Sequence, residues 1–290
     1  MRTAFALCAA SALALSACAA DDSVQDEMAE DDMAPAAMMD DSDEMAAMGP
    51  DYDAILASDF RGEGNAGRDQ YRNPAETLDF FGLEPGMTVV EFWPGGGWYS
   101  EIIAPALGPD GRLVALWPAG ERGDAGKASY QERFAGQEGF ATVESISLGE
   151  DSPLPEAEMG AADMVLTFRN VHNFQMNDVT EDYMTAAYDL LKPGGILGIV
   201  DHRLPEEADS AREMDSGYIK RSTVKAAAEA AGFQYVGESE INANPNDTAD
   251  HERGVWTLPP SLAMGDEDRE RYMAIGESDR LTMKFMKPTA

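Results

Sequence analysis

The chain has 290 residues and carries 54 Asp and Glu against 21 Lys and Arg, a formal charge of −33 at pH 7. A surface this acidic repels phosphate backbones and argues against nucleic acid as a partner. The only cysteines are Cys8 and Cys18, so the rest of the chain offers no disulfide, thiol nucleophile or cysteine metal ligand, and its fold rests on an apolar core.

Arg2 gives a positive start, and Ala4 to Ala14 are almost wholly small or apolar. The stretch is shorter than the about 20 residues that a spanning helix needs and reads as an export signal. Its end, Leu15-Ser16-Ala17-Cys18, resembles the bacterial lipobox. That resemblance implies a leader over 1–18, a lipid on Cys18 and a membrane lipoprotein facing the periplasm, with Ala19 favouring the outer membrane. The plainer alternative is a secretory signal cleaved near Ala17 or Ala20, leaving a soluble periplasmic protein.

Residues 19–51 read as a tether. Positions 21–51 hold twelve acidic residues and no Lys or Arg, and the first basic residue after Arg2 is Arg61. Such a segment buries too little apolar surface to offset its ordering entropy, and its like charges hold it extended. Its six methionines, Met28, Met33, Met38, Met39, Met45 and Met48, are soft ligands that suit Cu(I); a low-complexity spacer is the simpler reading. Setting those twelve acids aside leaves 42 against 20 Lys and Arg over 52–290, a length sufficient for one α/β domain.

Within 52–290 the pattern predicts a short helix over Tyr52–Phe60 and a polar loop that carries Arg61, Arg68 and Arg72. A helix over Pro74–Phe81 follows, with Asn73 as its cap and Pro74 in the favoured first turn. Apolar runs then alternate with helical stretches: a strand over Thr88–Trp93, a helix over Trp98–Leu107, a strand over Arg112–Trp117, a helix over Ser129–Gln137 and a strand over Ala141–Ile146. The next strand is Asp163–Phe168, before a helix from about Glu181 to Leu191 and a strand over Ile196–Val200. Ser222 is read as the cap of a helix over Thr223–Ala231. Strands over Phe233–Ser239 and Leu281–Phe285 close the chain, separated by a polar segment with a helix near Asp266–Ala274. This alternation predicts a parallel sheet covered on both faces, and the helix-poor last connection fits a final strand inserted antiparallel.

Val89-Val90-Glu91-Phe92-Trp93-Pro94-Gly95-Gly96-Gly97-Trp98-Tyr99-Ser100 resembles motif I of class I S-adenosylmethionine (SAM) methyltransferases. There an acid ends the first strand, and glycines let the backbone approach the cofactor. Asp163-Met-Val-Leu-Thr-Phe168-Arg-Asn-Val-His172 resembles motif IV, Leu190-Leu-Lys-Pro-Gly-Gly195 the step into strand five, and Ala231-Gly232-Phe233 the approach to strand six. More narrowly, Arg68-Asp69-x-x-Arg72-Asn-Pro74, Val200-Asp201-His202, Asn244-Pro-Asn-Asp247 and the segment from Asp279 to Pro288 resemble a family of exported predicted methyltransferases. The resemblance implies a Rossmann-like α/β sandwich with a mostly parallel seven-stranded sheet and an antiparallel last strand. It also implies SAM as cofactor and a small-molecule methyl acceptor.

In such sheets ligands bind beyond the carboxyl ends of the strands, at the switch point. The resemblance places cofactor contacts at Glu91, Gly95, Gly96, Gly97, Tyr99 and Asn170. Trp93 and Pro94 stand where the usual motif has its first glycine and a small residue, and an indole of Trp93 or Trp98 filling the bend would leave no room for a nucleoside. Strand two ends Leu116-Trp117-Pro118, without the acid that usually meets the ribose; Glu121 is the nearest, and Glu150 or Asp151 is placed near the adenine. His172 and His202 carry imidazoles able to take a proton near pH 7, and with Asp201 they are the candidate catalytic residues. Asp201 and His202 are adjacent on a strand and point to opposite faces, so they are not a relay. A metal site on His172, Asp201 and His202 lacks a helical or finger spacing and is not expected; structural hydrogen bonding is the other reading. His251 reads as solvated. Arg68 and Arg72, with Arg61, are placed on a cationic rim for an anionic substrate, against plain ion pairing with the abundant acids. Extracytoplasmic SAM supply is the obstacle to activity, so a ligand-binding lipoprotein on the same fold is the alternative function. NAD-dependent redox is disfavoured because the loop lacks the G-x-G-x-x-G spacing.

Overall fold

A computed structural model describes residues 49–289 apart from Glu138, Ala141 and Glu150. The leader, the lipidation site at Cys18, nearly all of the tether and the Glu150 contact lie outside the described residues. No described helix is long and apolar enough to cross a membrane.

The chain opens with α1 (Tyr52–Leu56), α2 (Asp69–Arg72) and α3 (Pro74–Phe81). It then runs β1 (Thr88–Phe92), α4 (Ser100–Leu107), β2 (Arg112–Pro118), α5 (Glu121–Phe134), β3 (Val143–Leu148) and β4 (Ala162–Phe168). After α6 (Val171–Met176) and α7 (Thr180–Leu190) come β5 (Leu191–Leu204), the two-residue β6 (Ile219–Lys220) and α8 (Arg221–Ala230). β7 (Gln234–Ser239), α9 (Arg269–Ile275) and β8 (Arg280–Met286) complete it. The sheet order is β3-β2-β1-β4-β5-β8-β7, with β6 paired to β5 off this path. β8 runs antiparallel to both neighbours, as the sequence predicts.

Period-two alternation decides which layer each strand residue joins. Val89, Leu113, Ala115, Met164 and Leu166 pack under α1, α3, α4 and α5. Val90, Val114, Leu116, Val165 and Leu197 pack on the other face under α6, α7 and α8. Such strands, apolar on both sides, read as nearly continuous hydrophobic runs, which is why they stand out in the sequence.

Several local expectations are corrected. Asn73 does not cap α3 with its side chain; it sits in the left-handed region and donates from Nδ2 to the Ile241 carbonyl at 2.7 Å. Ser222 does not cap α8, which starts one residue earlier, and its Oγ donates to Glu206 at 2.6 Å. α5 extends well before Ser129. Gly123 and Gly126 disguise it, because a Cβ there would strike the Pro118 carbonyl and the Trp117 ring. β5 runs past its apolar stretch into Asp201, His202 and Arg203. His251 is buried rather than solvated: Nε2 lies 2.9 Å from Asp247 Oδ1 and the ring packs edge-on to Tyr272.

Candidate functional site

The sheet changes direction between β1 and β4, and the crevice beyond their carboxyl ends holds the polar groups. Glu91, near the end of β1, is 2% exposed and accepts from Ser100 Oγ at 2.5 Å, at the first turn of α4. Burial pushes its carboxyl up to about 7, opposed by the Ser100 bond and the charge of Arg169. Across the switch point, Asn170 Nδ2 donates to the carbonyls of Phe92 at 3.0 Å and Trp93 at 3.2 Å. Asn170 therefore clamps the bend that follows β1.

That bend passes through left-handed conformations at Trp93, Gly95 and Gly97. A Cβ at Gly97 would lie 2.6 Å from the Phe134 ring, so this glycine lets the bend pack on α5; a Cβ at Gly95 would meet nothing within 4 Å. The Trp93 indole leans towards α6 and α7, edge-on to Phe174 and Tyr183, with Nε1 donating to Tyr183 Oη at 2.8 Å. Trp98 turns the other way, beneath the Arg72 guanidinium at 4.5 Å, and donates to the Asn65 carbonyl. Tyr99 is buried, its ring stacked on Phe168.

Neither indole fills the bend. A polar cleft of about 490 Å³ opens on one side, lined among others by Glu91, Gly95, Gly96, Tyr99, Arg169 and His172. A second, more apolar cleft of about 1130 Å³ lies at the ends of β2 and β3, against Pro118, Leu148 and Leu154. Trp93 is a wall of both. Glu121, expected near the ribose, and Asp151, expected near the adenine, line neither cleft.

The histidines meet in the polar cleft. His172, in the first turn of α6, has Nδ1 2.7 Å from Asp201 Oδ1 and donates its backbone N–H to Oδ2 at 3.0 Å. Asp201 also accepts the His202 backbone N–H at 2.7 Å. The relay partner of Asp201 is thus His172, not its neighbour in sequence. His202 Nδ1 lies 2.5 Å from Ser278 Oγ, and the two imidazole centroids are 5.2 Å apart. Burial holds His202 well below its ordinary pKa, reinforced by His172, Arg280, Arg169 and Arg72. The ligand atoms of His172, Asp201 and His202 lie within 4.8 Å of one another. However, both carboxylate oxygens of Asp201 already accept N–H groups, and guanidiniums crowd the triad, so the local field opposes a cation.

The arginines sort differently from the expected rim. Arg61 is buried and paired with Asp69 and Glu101. Arg72 is 1% exposed, donates from Nε to Glu277 at 3.1 Å and does not line the polar cleft. Only Arg68 stays on the cleft wall, donating from Nε to Glu277 at 2.5 Å. Arg280 joins them on the same carboxylate, which the surrounding guanidiniums hold down at about 2 against the opposing effect of burial. Arg169 follows β4 in a left-handed conformation on the cleft wall, and among the described residues its guanidinium makes no hydrogen bond or ion pair. Burial lowers it to about 10, with Arg280 and Arg68 adding to the effect.

Arg169, Glu277 and Arg280 are not among the site residues expected from the sequence, although Arg169 and Arg280 lie within motifs that carry the family resemblance. Arg169 carried a usable signal, being the first residue past an apolar strand in a βα crevice. Arg280 is subtler. An antiparallel final strand brings its first residue, not its last, to the ligand edge, and Arg280 pairs with His202 across β5 and β8. The Asn244–Asp247 motif holds that segment in place: Asn244 Nδ2 donates to the Ile275 and Glu277 carbonyls, and Asp247 accepts from the Asp279 N–H.

With this geometry, solved structures give clear matches. A SAM-dependent methyltransferase from Aquifex aeolicus superposes with a TM-score of 0.51 at 17% identity, covering 76% of this chain and 93% of that one. The fold is that of the class I methyltransferases. Haemonchus contortus phosphoethanolamine N-methyltransferase 2, in complex with S-adenosyl-L-methionine, matches with a TM-score of 0.53 at 14% identity, over 80% of this chain and 60% of that one. The [4+2]-cyclase SpnF matches with a TM-score of 0.55 at 15% identity, over 85% and 90%, so this fold also carries other chemistry. No protein-family model matches the chain, and no curated protein sequence matches it significantly.

Proposed function

We propose that the protein is a SAM-dependent methyltransferase acting on a small molecule, and that it works outside the cytoplasm on a lipid anchor at Cys18. The observation that carries the enzymatic part is the buried Glu91 carboxyl beneath an open glycine bend at the switch point. The residues suit the cofactor. Glu91 would face its ammonium, the unpartnered Arg169 its carboxylate, and Pro118, Leu148 and Leu154 an apolar adenine face. The ribose hydroxyls find no acid at the end of β2. Bound there, SAM supplies an electrophilic methyl group for in-line displacement, so the protein mainly positions the reactants. With Nδ1–H donated to Asp201, His172 keeps Nε2 free to accept a proton from the attacking group. The Leu15–Cys18 motif supports the anchored location. A second reading, a ligand-binding lipoprotein without transfer activity, is favoured by Trp93 in the place of the first glycine and by the missing strand-two acid.

Calorimetry of the full chain with SAM, S-adenosylhomocysteine and NAD tests this. SAM and S-adenosylhomocysteine should bind one to one and NAD should not. Because the ammonium needs an ionised partner, affinity should rise with pH up to about 7 and then level off, by at most about tenfold per pH unit. Glu91→Gln should remove that dependence. Absence of saturable SAM and S-adenosylhomocysteine binding rejects the proposal; binding without any conversion of SAM leaves the second reading.

A further inference from the structure

Four guanidiniums, those of Arg68, Arg72, Arg169 and Arg280, gather in or behind the polar cleft of a protein whose formal charge is −33. One carboxylate, Glu277, is shared by three of them. Arg68 Nη2, Arg280 Nε and both terminal nitrogens of Arg72 are buried without a hydrogen-bond partner, and the half-buried Arg169 guanidinium makes no hydrogen bond among the described residues. Buried guanidinium N–H groups left unpaired are costly, and the planar fork they present matches a carboxylate or phosphate.

The charges show that the cofactor alone does not satisfy this cluster. Four guanidiniums stand against the carboxylates of Glu91, Glu277 and Asp201, which leaves one positive charge in excess even with all three ionised, and Arg122 and Arg133 on the same wall, the latter paired with Glu101, do not reduce it. SAM brings a carboxylate, an ammonium and a sulfonium, adding one more. Its carboxylate can occupy Arg169, but the loaded cleft is then more positive than before. A second anion would offset that excess.

We infer that the methyl acceptor is a small oxyanion-bearing molecule, a carboxylate or a phosphate, held by Arg68 and Arg280 with its nucleophile beside His172. This rests on the methyltransferase reading. The acceptor's hydroxyl or amine uses a lone pair to form the new bond to the methyl carbon. The carbon–sulfur bonding pair returns to sulfur, giving S-adenosylhomocysteine, and the acceptor's proton passes to His172 Nε2. Trp256, partly exposed on the cleft wall, offers the acceptor's body an apolar contact.

The test uses the full chain saturated with S-adenosylhomocysteine, titrated by calorimetry with inorganic phosphate and, separately, with benzoate at constant ionic strength. At least one anion should bind saturably to the saturated protein, and which one binds distinguishes phosphate from carboxylate recognition. Arg68→Gln should weaken that binding by about tenfold or more while S-adenosylhomocysteine affinity stays within about threefold, and Arg68→Lys should recover part of it. The retained S-adenosylhomocysteine affinity reports that the variant is folded. Failure of both anions to bind, or an unchanged anion affinity in Arg68→Gln, overturns the inference. So does strict competition between the anion and S-adenosylhomocysteine, because the seat is then the cofactor's own. If S-adenosylhomocysteine itself does not bind, the methyltransferase reading fails first, and the anion titration of the unliganded protein still reports whether the seat exists.

Discussion

His172 and Asp201 are joined twice: imidazole Nδ1 to carboxylate Oδ1 at 2.7 Å, and the His172 backbone N–H to Oδ2 at 3.0 Å. The second bond fixes the start of α6 relative to β5, and the first then selects the tautomer. A carboxylate that only accepts forces the proton onto Nδ1 and leaves Nε2 as the basic atom on the cleft side.

Asp201→Asn separates those effects. An amide can accept through only one atom, so one N–H of the set must face an NH2 group. The expected cost is about 1–3 kcal/mol. At about 2–4 °C per kcal/mol for a domain of this size, that lowers Tm by several degrees. Nitrogen-15 NMR of the imidazoles should show the His172 Nδ1–H form dominant in the native protein and the Nε2–H form growing in the variant. An unchanged tautomer ratio would mean that the amide keeps its oxygen on His172 Nδ1 and sets its NH2 against the His172 backbone N–H.

The sequence makes most of this arrangement legible, and the exceptions share a cause. β1, β2 and β4 are apolar on both faces, and Pro74 and Gly82 bracket α3, so strand positions and the switch point follow from local pattern. Glu91, Gly95 and Asn170 then fall at the crevice because they lie at the end of a strand or just after one. What local pattern cannot reveal is pairing over long separations. Arg72 reads as a surface loop residue, yet Glu277, over 200 positions later, draws it inside. His251 reads as solvated because nothing near it in sequence announces the Tyr272 face or the burial of Asp247.

The glycine bend makes a contrast between two alanine substitutions. Both Gly95 and Gly97 sit at positive φ, which costs a non-glycine residue about 1–2 kcal/mol. Gly97→Ala adds a clash 2.6 Å from Phe134, so it should lose a further 1–3 kcal/mol or so through overpacking and melt clearly earlier. Gly95→Ala meets no protein atom within 4 Å and should melt only slightly early while weakening S-adenosylhomocysteine binding, because Gly95 lines the cleft proposed for the cofactor's amino-acid end. Thermal melts and titrations of the two variants side by side decide it; equal melting losses would contradict the packing assignment.

Glu277 is the counter-charge on which the arginine cluster depends. It is 3% exposed, accepts from Arg68 Nε and Arg72 Nε, and pairs with Arg280. Its carboxyl is held down at about 2, below its ordinary 4.5. A depressed folded-state pKa means that the unfolded chain binds the proton first as pH falls. The stabilisation is therefore complete above about pH 5 and is lost progressively between 4.5 and 2. Glu277→Gln should cost about 3–5 kcal/mol at pH 7, the range for stranding buried charges, and should flatten the acid limb of the stability curve below pH 4.5. Denaturant titrations from pH 3 to 7 on both proteins measure this. A variant that parallels the native protein across that window would show that the guanidiniums are stabilised by something other than this carboxylate.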